Sequence, residues 1–299
     1  METIPAKNIL TKNKYPQYWF GNDYNMNLYR GCHHGCIYCD SRSECYQNDE
    51  FDIVKVKADV LDILQKELMK KRQKGVVGIG AMSDTYNRFE KKECITREAL
   101  KLLRDYHFGV SLETKSDLVV RDIDLFLDIQ KYHNVIIKMT ITTYDDELSK
   151  IIEPHVCVSS QRFQAIKKLS DAGLFTGILL HPILPFITDT DENIINIVRL
   201  AYENGAKFIH CYFGVTLRDR QRDYYYQKLD EYFPKLKEKY IQYYDHRYEC
   251  RCLNIQHLKY VFQRECQKYG LLYKMEDIIK AYKASQNTYE QLSLFNEGL

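Results

Sequence analysis

The 299 residues read as an α/β chain, a partial (βα)6 barrel with a C-terminal helical extension. Three observations point there. Six strand-like runs, 25–29, 76–82, 109–115, 135–142, 176–184 and 207–213, alternate with segments of helical spacing. Alternation of this kind fits either an open doubly wound sheet or a partial barrel. The second observation separates them: Ser111, Glu113 and Lys115 share one face of the third run, and Lys138, Thr140 and Thr142 share one face of the fourth. Strands packed on both sides should be almost continuously apolar. Charged groups are costly in a packed core, so the polar face implies an incompletely filled lumen that holds a polar ligand. Third, a cysteine-rich loop follows the first run, at the strand end where barrels gather their active sites.

Along the chain, residues 1–24 lack clear periodicity and are expected to form an arm over the body. The barrel is expected over 25–215, the helical extension over 216–285 and a flexible tail over 286–299. Val60, Leu61, Leu64 and Leu68, then Leu100, Leu103 and Tyr106, have the spacing of helix faces. Gly78 and Gly80, without side chains, would let a ligand approach the second strand. His181 and His210 face the lumen or serve as hydrogen-bonded core histidines. Tyr225, Leu229, Phe233, Leu236 and Tyr240 form an apolar seam expected to pack the extension on the barrel. A net charge of +2 is too small to demonstrate a nucleic-acid partner. The basic runs 70–74 and 218–222 would contact phosphate or form solvated helix faces. The start has no long apolar region and no later stretch approaches a membrane span, so a cytoplasmic protein with reduced thiols is expected despite ten cysteines.

Cys32, Cys36 and Cys39, spaced C-x3-C-x2-C, supply three soft thiolates from a single loop. A [4Fe-4S] cluster has four corners, so three thiolates leave one iron open to another ligand. The alternative is zinc, which prefers four closed ligands. Cys45, Cys94, Cys157 and Cys211 read as structural thiols, with Cys211 also a candidate hydrogen donor because its strand borders the lumen. Cys250, Cys252 and Cys266, helped by His246, would form a second metal site, although their spacing matches no standard motif.

The run Asn27-Leu-Tyr-Arg-Gly-Cys-His-His-Gly-Cys-Ile-Tyr-Cys39 resembles the signature of the radical S-adenosylmethionine (SAM) superfamily. Together with Gly80-Ala-Met-Ser-Asp-Thr-Tyr86, Glu113-Thr-Lys-Ser116 and Phe213-Gly-Val-Thr-Leu-Arg-Asp219, it looks like the branch related to spore photoproduct lyase, over roughly residues 5–285. The resemblance implies that the open iron chelates the amino and carboxylate groups of SAM, and that one-electron cleavage gives a 5'-deoxyadenosyl radical that takes hydrogen from a substrate. It implies Lys115 at the SAM carboxylate, Ser83 nearby and Tyr38 against the adenine, with Thr142 a further cofactor-binding candidate. A reductant such as flavodoxin or ferredoxin is implied as well. That family reverses a thymine dimer in DNA, so a nucleic-acid lesion is the expected substrate. Two departures stand out: Ala81 occupies the position of the family's hydrogen-returning cysteine, and the Gly-Gly-Glu segment of many radical SAM enzymes is missing.

Near the end of the sequence, Gln291-Leu-Ser-Leu-Phe295 resembles the peptide by which bacterial DNA repair proteins dock on the β sliding clamp. Leu292, Leu294 and Phe295 would enter an apolar pocket while Gln291 makes directional hydrogen bonds. The leading expectation is a lyase-like radical SAM enzyme acting on DNA. The alternatives are the same radical generator with RNA, a peptide or a small metabolite as substrate, and a non-catalytic clamp-associated metal-binding module.

Overall fold

The computed structural model describes residues 1–284. In chain order, β1 (Glu2–Ile4), β2 (Leu10–Lys12), β3 (Tyr24–Met26), β4 (Tyr29–Arg30) and β5 (Lys55–Lys57) precede α1 (Val60–Lys70) and β6 (Val76–Ile79). Then come α2 (Glu90–Glu93), α3 (Ile95–Asp105), β7 (Gly109–Thr114), α4 (Ile123–Gln130), β8 (Val135–Thr140), α5 (Asp146–Ile152), α6 (Ser159–Asp171), β9 (Phe175–Leu180), α7 (Asp191–Glu203) and β10 (Phe208–Cys211). The extension holds β11 (Gly214–Thr216), α8 (Asp219–Tyr232), α9 (Leu236–Tyr244), β12 (Glu249–Arg251), α10 (Ile255–Tyr269) and α11 (Met275–Ala284).

The main sheet has seven strands in the order β10-β9-β8-β7-β6-β3-β2. The six from β3 to β10 are mutually parallel, and β2 adds an antiparallel edge. Its two edges do not pair, so the barrel is partial. Each predicted strand is present but shorter than its run. Gly80, at φ +101°, ends the run after β6. Pro182 follows β9 and cannot donate to a ladder. The first run divides: Tyr24–Met26 stays in the barrel while Tyr29–Arg30 turns to pair with β5.

The helices cover the outer face as their periodicity dictates. Val60, Leu64 and Leu68 of α1 and Thr96, Ala99, Leu100 and Leu103 of α3 are buried. The arm is more structured than its sequence suggests, because β1 pairs with β5 and a 3-10 turn at Pro16–Tyr18 sends Trp19 and Phe20 inward. Phe20 packs on Phe208 and His210, with centroids 5.7 and 5.6 Å away. From α11, Tyr282 and Lys283 donate to the carbonyls of Phe20 and Gly21, the latter at 2.9 Å. The seam packs as expected: Tyr225, Leu229 and Tyr240 are buried against Ile37, Tyr38 and Leu184. Among the described residues no helix is long and apolar enough to cross a membrane.

Candidate active site

The cysteine loop is built by strain that its glycine relieves and by bonds from distant elements. Gly31 sits at φ +80°, where a Cβ would lie 2.2 Å from the Ile53 carbonyl oxygen, so this position admits only glycine. Cys32 N–H then donates to the Phe51 carbonyl at 2.8 Å and Ile37 N–H to the Ile152 carbonyl at 3.0 Å. The extension secures the rest. Arg218 donates to Asp40 Oδ2 at 2.8 Å and Arg220 to Asp49 Oδ1 at 2.7 Å, while Gln221 donates to the Tyr38 carbonyl at 3.2 Å. The basic run at 218–222 is therefore not a free solvated face: Arg222 also donates to the Leu217 and Arg247 carbonyls. In the other run, Lys71 and Lys74 lie over the Tyr24 and Phe108 rings at the foot of β6, the opposite strand end from the loop.

Inside the loop lies a cavity of about 350 Å³ lined by Cys32, Cys36, Cys39, Tyr38, Gly80, Ala81, Ser83 and Lys115, among others. Glu113 and Thr140 also reach it, so the alternating strands do face a polar lumen. Deeper, Lys138 is fully buried, donating to Ser111 Oγ at 2.9 Å and lying 4.0 Å from Glu113 and 4.5 Å from the Phe20 centroid. Burial lowers its pKa, with Glu113 opposing.

Two buried carboxylates hold the strand ends in place. Asp84 accepts from Thr114 Oγ1 at 2.7 Å and from the N–H groups of Lys115 and Tyr86 at 2.8 and 2.9 Å, and it lies 3.6 Å from His34 Nδ1. Glu153 pairs with Arg162, both fully buried, and accepts from the Tyr38 hydroxyl. Arg162 also donates to the Cys157 and Thr140 carbonyls at 2.8 and 3.0 Å. Lys115 Nζ sits 5.8 Å from the Tyr38 ring centroid. Burial works against its charge, but Cys36, Glu153, Cys39 and Asp84 outweigh that and raise its pKa, so it is a fixed cation in the cavity.

Burial, then Asp84, pushes the Cys32 thiol up to about 12. It lifts Cys36 and Cys39 as well, against the pull of Lys115. Thiolates here thus need an electropositive partner. Among the described residues no three His, Cys, Asp or Glu side chains converge as ligands of one metal ion. Cys32, Cys36 and Cys39 nevertheless all line this one cavity, so the loop offers it three soft thiols, one for each of three irons of a cubane.

The structure corrects several expectations. Thr142 does not line the cavity; it is buried behind it, its hydroxyl 3.4 Å from Glu153. Cys211 points away from the lumen, since its strand neighbours His210 and Tyr212 take the inner face and it packs into the main apolar core. A second metal site is not formed: Cys250 belongs to the core around Tyr225, Cys252 and Cys266 belong to the main core, and the His246 side chain is 92% exposed. The space beside Gly78 is taken by Asn22 and Asn25 and that beside Gly80 by the Glu113 carbonyl, and of the two only Gly80 lines the cavity. His181 and His210 hydrogen-bond to each other at 2.8 Å; His181 lines the cavity, while His210 fits the reading of a hydrogen-bonded core histidine. The clamp-like residues Gln291, Leu292, Leu294 and Phe295 lie outside the described residues. Sequence reasoning missed Trp19, Tyr212, Glu153 and Arg162; Trp19, the single tryptophan of the chain, was the one visible signal.

Residues 26–201, more than half of the chain, match the radical SAM superfamily. The chain belongs to that superfamily. It is a radical SAM enzyme whose cofactors are a [4Fe-4S] cluster and S-adenosylmethionine. An uncharacterised protein of Methanocaldococcus jannaschii is 33% identical over 191 residues, covering 63% of this chain and 69% of its own. An uncharacterised protein of Mycobacterium bovis is 28% identical over 228 residues, covering 74% and 67%. Among solved structures, spore photoproduct lyase complexed with dinucleoside spore photoproduct superposes with TM-score 0.63 at 14% identity, covering 89% of this chain and 79% of that one. A mutant of that lyase with bound AdoMet and the same dinucleoside gives TM-score 0.61 at 15% identity, covering 83% and 74%. The radical SAM chain thus shares the fold of spore photoproduct lyase over 89% of its length.

Proposed function

We propose that this radical SAM enzyme directs its chemistry at a nucleic-acid substrate, DNA carrying a base lesion, and that its reaction is lyase-like. Cys32, Cys36 and Cys39 would hold three irons of the cluster, which supplies reductive cleavage of the sulfonium when bound. Lys115 would receive the SAM carboxylate, Ser83 would lie beside it and Tyr38 would carry the adenine, its hydroxyl anchored on Glu153. The observation that carries this reading is one cavity joining the three thiols, Ser83 and the Lys115 cation, within a fold whose relative in complex with a dinucleoside is spore photoproduct lyase. Ala81 lines that cavity and carries no thiol to return a hydrogen atom, which favours a lesion other than the spore photoproduct.

The test uses reconstituted protein with SAM and dithionite. Ultraviolet-damaged DNA is expected to raise 5'-deoxyadenosine formation well above undamaged DNA, RNA and no substrate; equal rates with all of them would remove the DNA-lesion reading. Reduction by flavodoxin or ferredoxin and docking on the sliding clamp complete the proposal. For the clamp, a chain ending at Glu290 is expected to lose binding that the full chain shows, and undiminished binding would exclude the tail.

A further inference from the structure

One wall of the cavity is not used by the thiols or by Lys115. Trp19, His181 and Tyr212 line it. The Trp19 ring stands edge-on to His181 and His210, centroids 5.8 and 5.7 Å away, and Tyr212 lies 6.0 Å from His181. His181 Nε2 is engaged with His210 Nδ1. Burial holds His181 well below its ordinary value, with His210 and Lys115 adding to the effect, and brings His210 down to about 4, helped by Lys138. Both imidazoles are therefore neutral at physiological pH. Burial pushes the Tyr212 phenol up to about 12, so it keeps its proton, yet its hydroxyl is buried without a hydrogen-bond partner. A buried polar group with no partner asks for one, and this one borders the cavity.

We propose that Trp19, His181 and Tyr212 form the substrate subsite, shaped for a planar, uncharged heteroaromatic ring, and that the Tyr212 hydroxyl donates a hydrogen bond to a carbonyl of that ring. This rests on the nucleic-acid reading above and specifies it: the ring is a nucleobase swung out of its stack. The distribution of charge supports the orientation. The three side chains of this wall are aromatic and uncharged, which suits the face of a base, and Lys138 Nζ stands 5.9 Å from the Trp19 centroid. Arginine appears at the rim instead, where Arg218, bonded to the cavity-lining Asp40, lies 5.5 and 5.0 Å from the Tyr46 and Tyr248 centroids. A nucleotide entering base first would leave its phosphates at that rim. Tyr212 acts as a specificity-determining residue, because a site built to bond a ring substituent discriminates against rings that lack it.

Trp19 is the only tryptophan, so its emission reports on this wall alone. Full-length reconstituted protein is saturated with SAM, without reductant, and titrated with a short single-stranded oligothymidylate. Trp19 emission and the anisotropy of an end-labelled copy of the oligonucleotide are read in parallel. Saturable quenching that follows the anisotropy is expected. Tyr212→Phe should weaken the oligonucleotide about tenfold, as loss of one buried hydrogen bond does, with SAM affinity by equilibrium dialysis as the internal reference. Thermal unfolding verifies that the variant is folded, and if it is not, His181→Gln carries the same comparison. Binding by anisotropy with unchanged Trp19 emission, unweakened binding by the variant, or equal quenching by heparin would each overturn the subsite and leave the nucleic-acid reading standing. No response of either signal to DNA or RNA would overturn both.

Discussion

Replacing Cys32, Cys36 or Cys39 with alanine, one at a time, is expected to reduce bound iron from about four per chain to near zero and to abolish 5'-deoxyadenosine formation by at least about a thousandfold, roughly 4 kcal/mol in the barrier. The three thiols come from one loop, and the carboxylate beside Cys32 is already engaged. Asp84 is fully committed to Thr114, Lys115 and Tyr86, and His34 is buried beside it. Alanine at Cys250, Cys252 or Cys266 provides the comparison: each is expected to retain iron, because those thiols are divided between two apolar cores. Iron analysis and the visible spectrum of the anaerobic protein decide it. Retained iron in all three loop variants, or lost iron in the Cys250 variant, would contradict the assignment.

Arg162→Met is expected to be the most destabilising single change, by roughly 3–5 kcal/mol, because it strands a buried carboxylate. With total stabilities of about 5–15 kcal/mol, that is enough to endanger folding. Glu153 and Arg162 are both fully buried, and the pair also fixes Tyr38 and the end of β8 through the Thr140 carbonyl. Replacing both partners with apolar residues should recover much of the stability while freeing the Tyr38 hydroxyl, so SAM affinity should stay impaired. The urea midpoint of the single and double variants measures the first effect and equilibrium dialysis of SAM the second; a single variant as stable as wild type would refute it. The sign with pH follows from the carboxylate. Burial raises its pKa, but Arg162 and Lys115 outweigh this and lower it overall. Its contribution is therefore fully present above the unfolded carboxylate value of about 4.3 and is lost as pH falls through the lower, folded value.

The parallel sheet and the cysteine loop were legible because each has a local signature: strand-helix alternation, a polar face on Ser111, Glu113 and Lys115, and three thiols within eight residues. What escaped was set by distance in the chain. Glu153 and Arg162 look like ordinary surface charges on amphipathic segments until the fold buries them together. The direction of Cys211 depended on register, where a single step along β10 exchanges the lumen for the core. The run at 218–222 gave charge without partners, and its partners Asp40 and Asp49 lie at the other end of the sequence. The arm lacked periodicity because it forms short edge strands and an aromatic plug rather than one regular element.

Those arginine contacts also bear on how the protein matures. The bonds from Thr216, Arg218 and Gln221 to Asp40 and Tyr38 span 176, 178 and 183 residues. A nascent chain leaving the ribosome therefore exposes its three cysteines long before the segment that locks their loop has been synthesised. A locked loop therefore requires that synthesis has passed Gln221, and until then the thiols depend on the reducing power of their surroundings.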